Sequence, residues 1–129
     1  GSALNDGDAF WEGIREQSDP WFVATRQTNV PLWRISVKAS APGADLGGEQ
    51  LIEWSGALRW LAATERTDAA RVRAYARENG GHATLFRAAD KSAGAFHPLT
   101  DALLALHRRL KSVFDPARIL NPGRLYPGL

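Results

Sequence analysis

Residues 30–39 read VPLWRISVKA, and the alternation within them decides the fold. Leu32, Arg34, Ser36 and Lys38 point one way while Trp33, Ile35 and Val37 point the other, as a half-buried strand requires. The second set is the core side. Downstream, LIEWSGALRWLAA (51–63) reads as two short strands, Leu51–Trp54 and Ala57–Ala62, joined tightly at Ser55-Gly56. A single amphipathic helix is the rival reading there, against which Trp, Ile and the central Ser-Gly count. HATLFRA adds a fourth strand over His82–Arg87.

The segments between the strands carry helical signals. Asp8 can cap a helix from Ala9 to about Gln17 in which Phe10, Trp11 and Ile14 share a face, and Asp19-Pro20 ends it. SAPGADLGGEQ (40–50) is a loop. Thr67 can cap a helix over Asp68–Glu78 with a buried stripe of Val72, Tyr75 and Ala76, stopped by Asn79-Gly80. The clearest period is Leu99, Leu103, Leu106, Leu110 and Val113, at i, i+4, i+7, i+11 and i+14, so one face of this last helix must be covered. Asp115-Pro116 stops it and can start one further turn. The order is helix, three strands, helix, strand, helix, without regular βαβ alternation. It predicts an α+β fold, an antiparallel sheet of about four strands with helices packed on one face.

At 129 residues the chain fits one domain able to bury its own core. Gly1 and Ser2 read as a protease scar. The absence of cysteine excludes a disulfide framework and thiol catalysis and fits a reducing, cytoplasmic setting. Sixteen Lys and Arg against 14 Asp and Glu leave +2 with no block of like charge, which gives nucleic-acid binding little support. No apolar run is long enough for a membrane span.

Chemistry is sparse. The histidines are His82, His97 and His107, with no metal-ligand spacing among them, so no metal site is expected. There is no GxSxG, P-loop or GxGxxG motif. His82 follows Gly80-Gly81 at a strand start and is either a satisfied edge histidine or a group at the mouth of a site. Arg34, Arg59 and Arg87 each lie on a predicted strand beside large apolar residues. Either they line a solvated sheet face, or a planar guanidinium rising from the sheet clamps a carboxylate with two parallel hydrogen bonds. The five tryptophans, Trp11, Trp21, Trp33, Trp54 and Trp60, read as core.

FWEGIREQ, LWRISV, IEWSGALRWL, GGHATLFRAADK and FDPARILNPGRLYP, in that order from Phe10 to about Pro127, resemble the C-terminal part of the FAD-binding E subunit of bacterial glycolate oxidases. The FDPxxxLNPGR ending is shared across FAD-linked oxidases of the vanillyl-alcohol-oxidase type, while IEWSGALRWL and GGHATLFRA are more specific to this subunit.

The resemblance implies a ferredoxin-like cap domain over residues 3–114, covering the reactive face of an FAD held by an N-terminal domain of the same subunit. It implies a tail, 115–129, that returns to that domain. It also implies flavin-dependent oxidation of glycolate or a similar 2-hydroxy acid, with a catalytic flavin subunit and an iron-sulfur subunit as partners. The complex could bring peripheral membrane association. Arg15, Arg34, Arg59, His82 and Arg87 are then the candidates on the substrate side, and Asn121 and Arg124 on the flavin side. In related catalytic subunits a Trp-x-x-Arg/Lys element places a basic residue on the substrate carboxylate; here WEGIR puts Arg15 one position further on. The histidine-rich metal motif of those subunits is absent, and GGHATLFRA carries a single histidine in the comparable strand. Electron transfer or assembly, rather than glycolate oxidation by this subunit itself, is the implied alternative. As a non-catalytic α+β interaction module, the chain would use its arginines and tail to dock partner subunits.

Overall fold

A computed structural model describes residues 2–129 of the chain, with side-chain environments from Gly7 onward. The elements in chain order are α1 (Ser2–Arg15), α2 (Pro20–Gln27), β1 (Leu32–Ser36), β2 (Glu49–Glu53), β3 (Leu58–Ala62), α3 (Ala69–Glu78), β4 (His82–Arg87) and α4 (Asp101–Phe114). The strands form one antiparallel sheet in the order β2-β3-β1-β4. The fold is α+β, as the alternation of residues 30–39 predicts. Because β1 and β2 run the same way on either side of β3, and β3 and β4 on either side of β1, both halves have the split arrangement of a ferredoxin-like sheet. Only the second crossover is a helix, α3; the first is the loop 37–48.

Helices cover both faces of the sheet, where one was expected. Trp33, Ile35 and Leu61 on one face pack against Val72, Tyr75 and Ala76 of α3. Leu32 and Trp60 on the other pack against Ile14 of α1 and Phe22 of α2. Full burial of a side chain the size of Phe22 contributes about 2–3 kcal/mol, so the second layer is a core in its own right. Edge-to-face rings continue it from Trp21 through Phe22 and Trp60 to Phe86, with centroids 5.1, 5.3 and 5.1 Å apart.

Helix α2 is the element the sequence reading passed over. Asp19 caps it by accepting from the Trp21 N–H at 2.9 Å, and Pro20 takes the first helical position. The same pair that ends one helix begins the next. Helix α1 starts well before Ala9, so Asp8 lies inside it rather than capping it. It closes with Gln17 in the left-handed region (φ 55°), the Gln17 N–H donating to Ile14 O at 3.2 Å and the Ser18 N–H to Gly13 O at 2.8 Å. Of the expected apolar face only Ile14 is buried; Phe10 and Trp11 are exposed. Asp68, not Thr67, caps α3. The Thr67 hydroxyl instead donates to Gly47 O at 3.1 Å and ties the first crossover down.

The 88–98 segment returns along the outer edge of β4, where the Leu85 N–H donates to Ala95 O at 2.7 Å and the Ala83 N–H to His97 Nδ1 at 3.2 Å. That edge is therefore closed to further pairing. Helix α4 keeps its periodic stripe exposed at Leu103, Leu106, Leu110 and Val113.

Candidate functional site

One end of the sheet's second face is left open. Helix α2 covers the end where Leu32 and Trp60 are buried, and beyond it β1 presents Arg34 and Ser36 while β4 presents His82 and Thr84. The register fixes these neighbours: Arg34 lies opposite Trp60 on one side and Thr84 on the other, and Ser36 lies opposite His82. His82 is thus a diagonal neighbour of Arg34 on the same face, roughly 7–8 Å away.

Arg34 is exposed, and its guanidinium carbon stands 6.0 Å from the centre of the Trp60 ring. The ring is fixed in turn, since Trp60 Nε1 donates to the Glu53 carboxylate. No carboxylate pairs with Arg34 among the described residues. An aromatic shelf under the guanidinium and no acid to neutralise it leave a preoriented fork of donors that matches a carboxylate. His82 adds an exposed imidazole able to donate or accept a hydrogen bond.

The other candidates separate from this pair. Arg59 is only 3% exposed and lies on the opposite face, paired with Ile35. It donates to Gly56 O (3.2 Å), Pro42 O (3.0 Å), Ala41 O (2.5 Å) and the Tyr75 hydroxyl (2.5 Å). Its guanidinium is engaged in tying the first crossover to α3. Arg87 faces the α2 end, where Nη2 donates to Thr25 Oγ1 at 2.7 Å while Nε is buried without a partner. Burial, with Arg26 as the second cause, lowers its pKa. Arg15 lies at the end of α1, donating to Glu16 at 2.7 Å with Glu12 at 3.8 Å; the Glu16 hydrogen bond raises its pKa.

Asn121 and Arg124 are exposed in the tail, which folds as successive turns with Asn121 at φ 45°. The tail is pinned by the Tyr126 hydroxyl donating to His97 O at 3.0 Å and by Lys111 Nζ donating to Leu120 O at 2.8 Å. The sequence reading missed the Trp60–Glu53 pair, because Trp60 is core and its partner lies seven residues away across a hairpin. The signal available was parity: Glu53 and Trp60 fall on one face once the hairpin is accepted. Among the described residues, no three His, Asp or Glu side chains converge as metal ligands, and no helix is long and apolar enough to cross a membrane.

The family described as FAD linked oxidases, C-terminal domain, matches residues 89–125, the loop, α4 and tail. Over 122 residues, 93% of the chain, the sequence is 46% identical to glycolate oxidase subunit GlcE of Escherichia coli (strain K12). The chain is thus similar to the FAD-linked oxidases. It spans 32% of the length of that relative. No solved structure matches the chain.

Proposed function

We propose that the chain is the cap of an FAD-linked oxidase subunit that takes part in oxidising glycolate or a similar small 2-hydroxy acid, with the open sheet face toward the flavin. The observation that carries this is Arg34, an exposed guanidinium held over Trp60 without an acid partner among the described residues. The surroundings suit a flat ring: Trp60 and the partly exposed Phe86 meet edge to face beside a cation. Nothing in the sequence resembles a glycine-rich phosphate cradle, so the rest of the cofactor would be held by an N-terminal FAD-binding domain of the same subunit. When bound, the flavin supplies the two-electron acceptor. Arg34 binds and orients the substrate carboxylate, and His82 holds or accepts a proton at the same rim.

In this reading residues 3–114 are the cap, and 115–129 with the exposed stripe of α4 are the contact with the FAD-binding domain. Asn121 and Arg124 sit on that side. Catalytic flavin and iron-sulfur subunits complete the assembly.

Arg34→Ala in the whole flavin-loaded subunit, assayed with its partners, is expected to raise KM for glycolate about 100-fold with unchanged FAD content, the cost of one lost bidentate ion pair. Arg34→Lys should recover part of it. An unchanged KM in Arg34→Ala would remove the substrate role.

A second reading, an assembly module, is favoured by a different surface. Phe10, Trp11, Ile52 and Trp54 are all more than half exposed, and Trp54 sits at φ 53° at the tip of the β2–β3 hairpin, a conformation bulky residues seldom adopt. Exposed tryptophans are frequent anchors of interfaces. Loss of co-purifying subunits in a Trp11→Ala, Trp54→Ala double variant that keeps its flavin would favour this reading.

A further inference from the structure

The sheet has two edges, and the chain closes only one of them. Residues 88–98 cover β4, whereas β2 lies at the other margin, opposite the one that carries His97 and, through Tyr126, the tail. Which backbone groups of β2 face outward follows from the ladder. The Val37 N–H donates to Ala57 O at 2.9 Å and the Ala63 N–H to Pro31 O at 2.8 Å, so the odd-numbered residues of β3 bond β1 and the even-numbered ones bond β2. Leu58, Trp60 and Ala62 are paired with Glu53, Leu51 and Glu49. Gln50 and Ile52 therefore turn their N–H and C=O groups away from the sheet, and none of these groups has a partner among the described residues.

The edge is regular enough to receive a strand. Its register with β3 runs unbroken over Glu49–Glu53, without a bulge, and it holds no proline or lysine, devices that commonly blunt an edge. Glu49, Leu51 and Glu53 alternate onto the face that Trp60 occupies, so two carboxylates flank one apolar side chain at i, i+2 and i+4. Neither glutamate forms an ion pair among the described residues. A second copy of the chain is a poor occupant. Antiparallel pairing of two β2 strands centred on Leu51 sets Glu49 opposite Glu53 at both ends, and like charges directly opposite are destabilising. The same two carboxylates favour a strand that brings cations.

We propose that the β2 edge takes a fifth strand from a partner protein, an extended segment with Lys or Arg at two positions four apart and a β-branched residue midway between them. Its main chain bonds Gln50 and Ile52, its cations meet Glu49 and Glu53, and its apolar residue packs beside Leu51. The inference rests on the assembly reading above and gives the partner its form, since Trp11 and Trp54 border this edge together with Leu51 and Ile52. The contact given to the FAD-binding domain lies at the opposite margin, which assigns the added strand to another polypeptide. Arg34 is two strands away, so the open sheet face stays uncovered.

The probe is the peptide acetyl-Thr-Lys-Val-Val-Thr-Lys-Thr-amide, titrated into the 129-residue chain and followed by amide NMR and hydrogen exchange. Saturable shifts along β2 are expected, with exchange at Gln50 and Ile52 slowed in the complex. The same peptide with glutamate in place of both lysines should bind at least about tenfold more weakly, and Glu49→Lys should weaken the lysine peptide about fivefold while strengthening the glutamate one. Ile52→Pro removes an N–H that bonds nothing within the sheet, so it should fold and lose the peptide. Unslowed exchange at Gln50 and Ile52, equal binding of the two peptides, or an unaltered preference in Glu49→Lys would each overturn the assignment, whether or not Ile52→Pro folds. A dimer that protects the same amides without peptide would overturn it too, by placing a second copy on the edge. Each of these outcomes leaves the assembly reading standing, because that reading fails only if the Trp11→Ala, Trp54→Ala variant keeps its subunits.

Discussion

The Arg59 guanidinium donates to the Tyr75 hydroxyl at 2.5 Å beneath the sheet, and that hydroxyl donates onward to Pro42 O at 2.7 Å. Two residues from different elements thus hold the same loop carbonyl, and the first crossover, which lacks a helix, is fastened by this network. Arg59→Ala would remove the side-chain donor to the carbonyls of Ala41 and Gly56 and leave Pro42 O with the Tyr75 hydroxyl alone. It is expected to cost about 3–4 kcal/mol, measured by urea unfolding. Arg59→Lys, with a point charge in place of a fork, should recover less than half. A loss under 1 kcal/mol for Arg59→Ala would show that water replaces the guanidinium.

The contrast with Arg34 explains how far the sequence could be read. The strand at 30–39 declared itself because one of its faces is polar, and the expected core residues Trp33, Ile35 and Val37 are buried. Residues 58–62 carry no such signal: Leu58, Trp60 and Leu61 are apolar on both faces because both faces are covered, by α2 and by α3. Alternation alone therefore could not say which of Arg34, Arg59 and Arg87 was free. The strand pairings decide it, since Arg59 falls opposite Ile35 and Arg34 opposite Trp60. Helix α2 was missed because Asp19-Pro20 is both a stop and a start. The α4 stripe was legible as apolar, yet Leu103, Leu106, Leu110 and Val113 stay exposed.

Gly81 marks where the chain leaves α3 and enters β4 alongside β1. A Cβ there would lie 1.8 Å from Ser36 O, a backbone atom that cannot swing aside. Gly81→Ala must push β4 off its register and is expected to cost about 3 kcal/mol, read as a shift in the denaturation midpoint. At Gly94, where the nearest atom to an added Cβ is the Arg73 guanidinium at 3.7 Å, no steric clash arises, and only the φ of +83° is strained. Gly94→Ala should therefore cost about 1 kcal/mol. Equal losses at the two positions would contradict the close approach of Gly81 to Ser36 O.

The depressed pKa of His97 makes stability depend on pH in a definite direction. Burial is the main cause, and the neighbouring cations add to it, so the unfolded chain binds the proton more readily. Stability then rises with pH through this window and is lost as pH falls below the unfolded histidine value of about 6.5. Protonation also puts a hydrogen on Nδ1, which now accepts from Ala83, and so breaks that bond. His97→Gln is expected to flatten the dependence between about pH 7 and 5 while keeping an acceptor for Ala83. A variant as pH-sensitive as the parent would place the titration elsewhere.

Asp115 works in the opposite sense. Its carboxylate accepts from Lys111 Nζ at 2.8 Å and from the Ile119 and Leu120 N–H groups, each at 3.0 Å, so one side chain closes α4 and orders the turn that follows. The hydrogen bond from Lys111 is the largest cause of its lowered pKa, and the two backbone donors add to it against burial. The stabilisation is present above the unfolded aspartate value of about 3.9 and is lost as pH falls through the lower, folded value. Asp115→Asn keeps the shape but not the charge. Its midpoint should fall below the parent's at pH 7, and the two curves should converge under acid, where the parent's carboxylate is also neutral. High salt should narrow the gap only partly, because Asp115 is buried and the backbone bonds are short-range. A gap that persists at pH 2 would mean that shape, not charge, holds this turn.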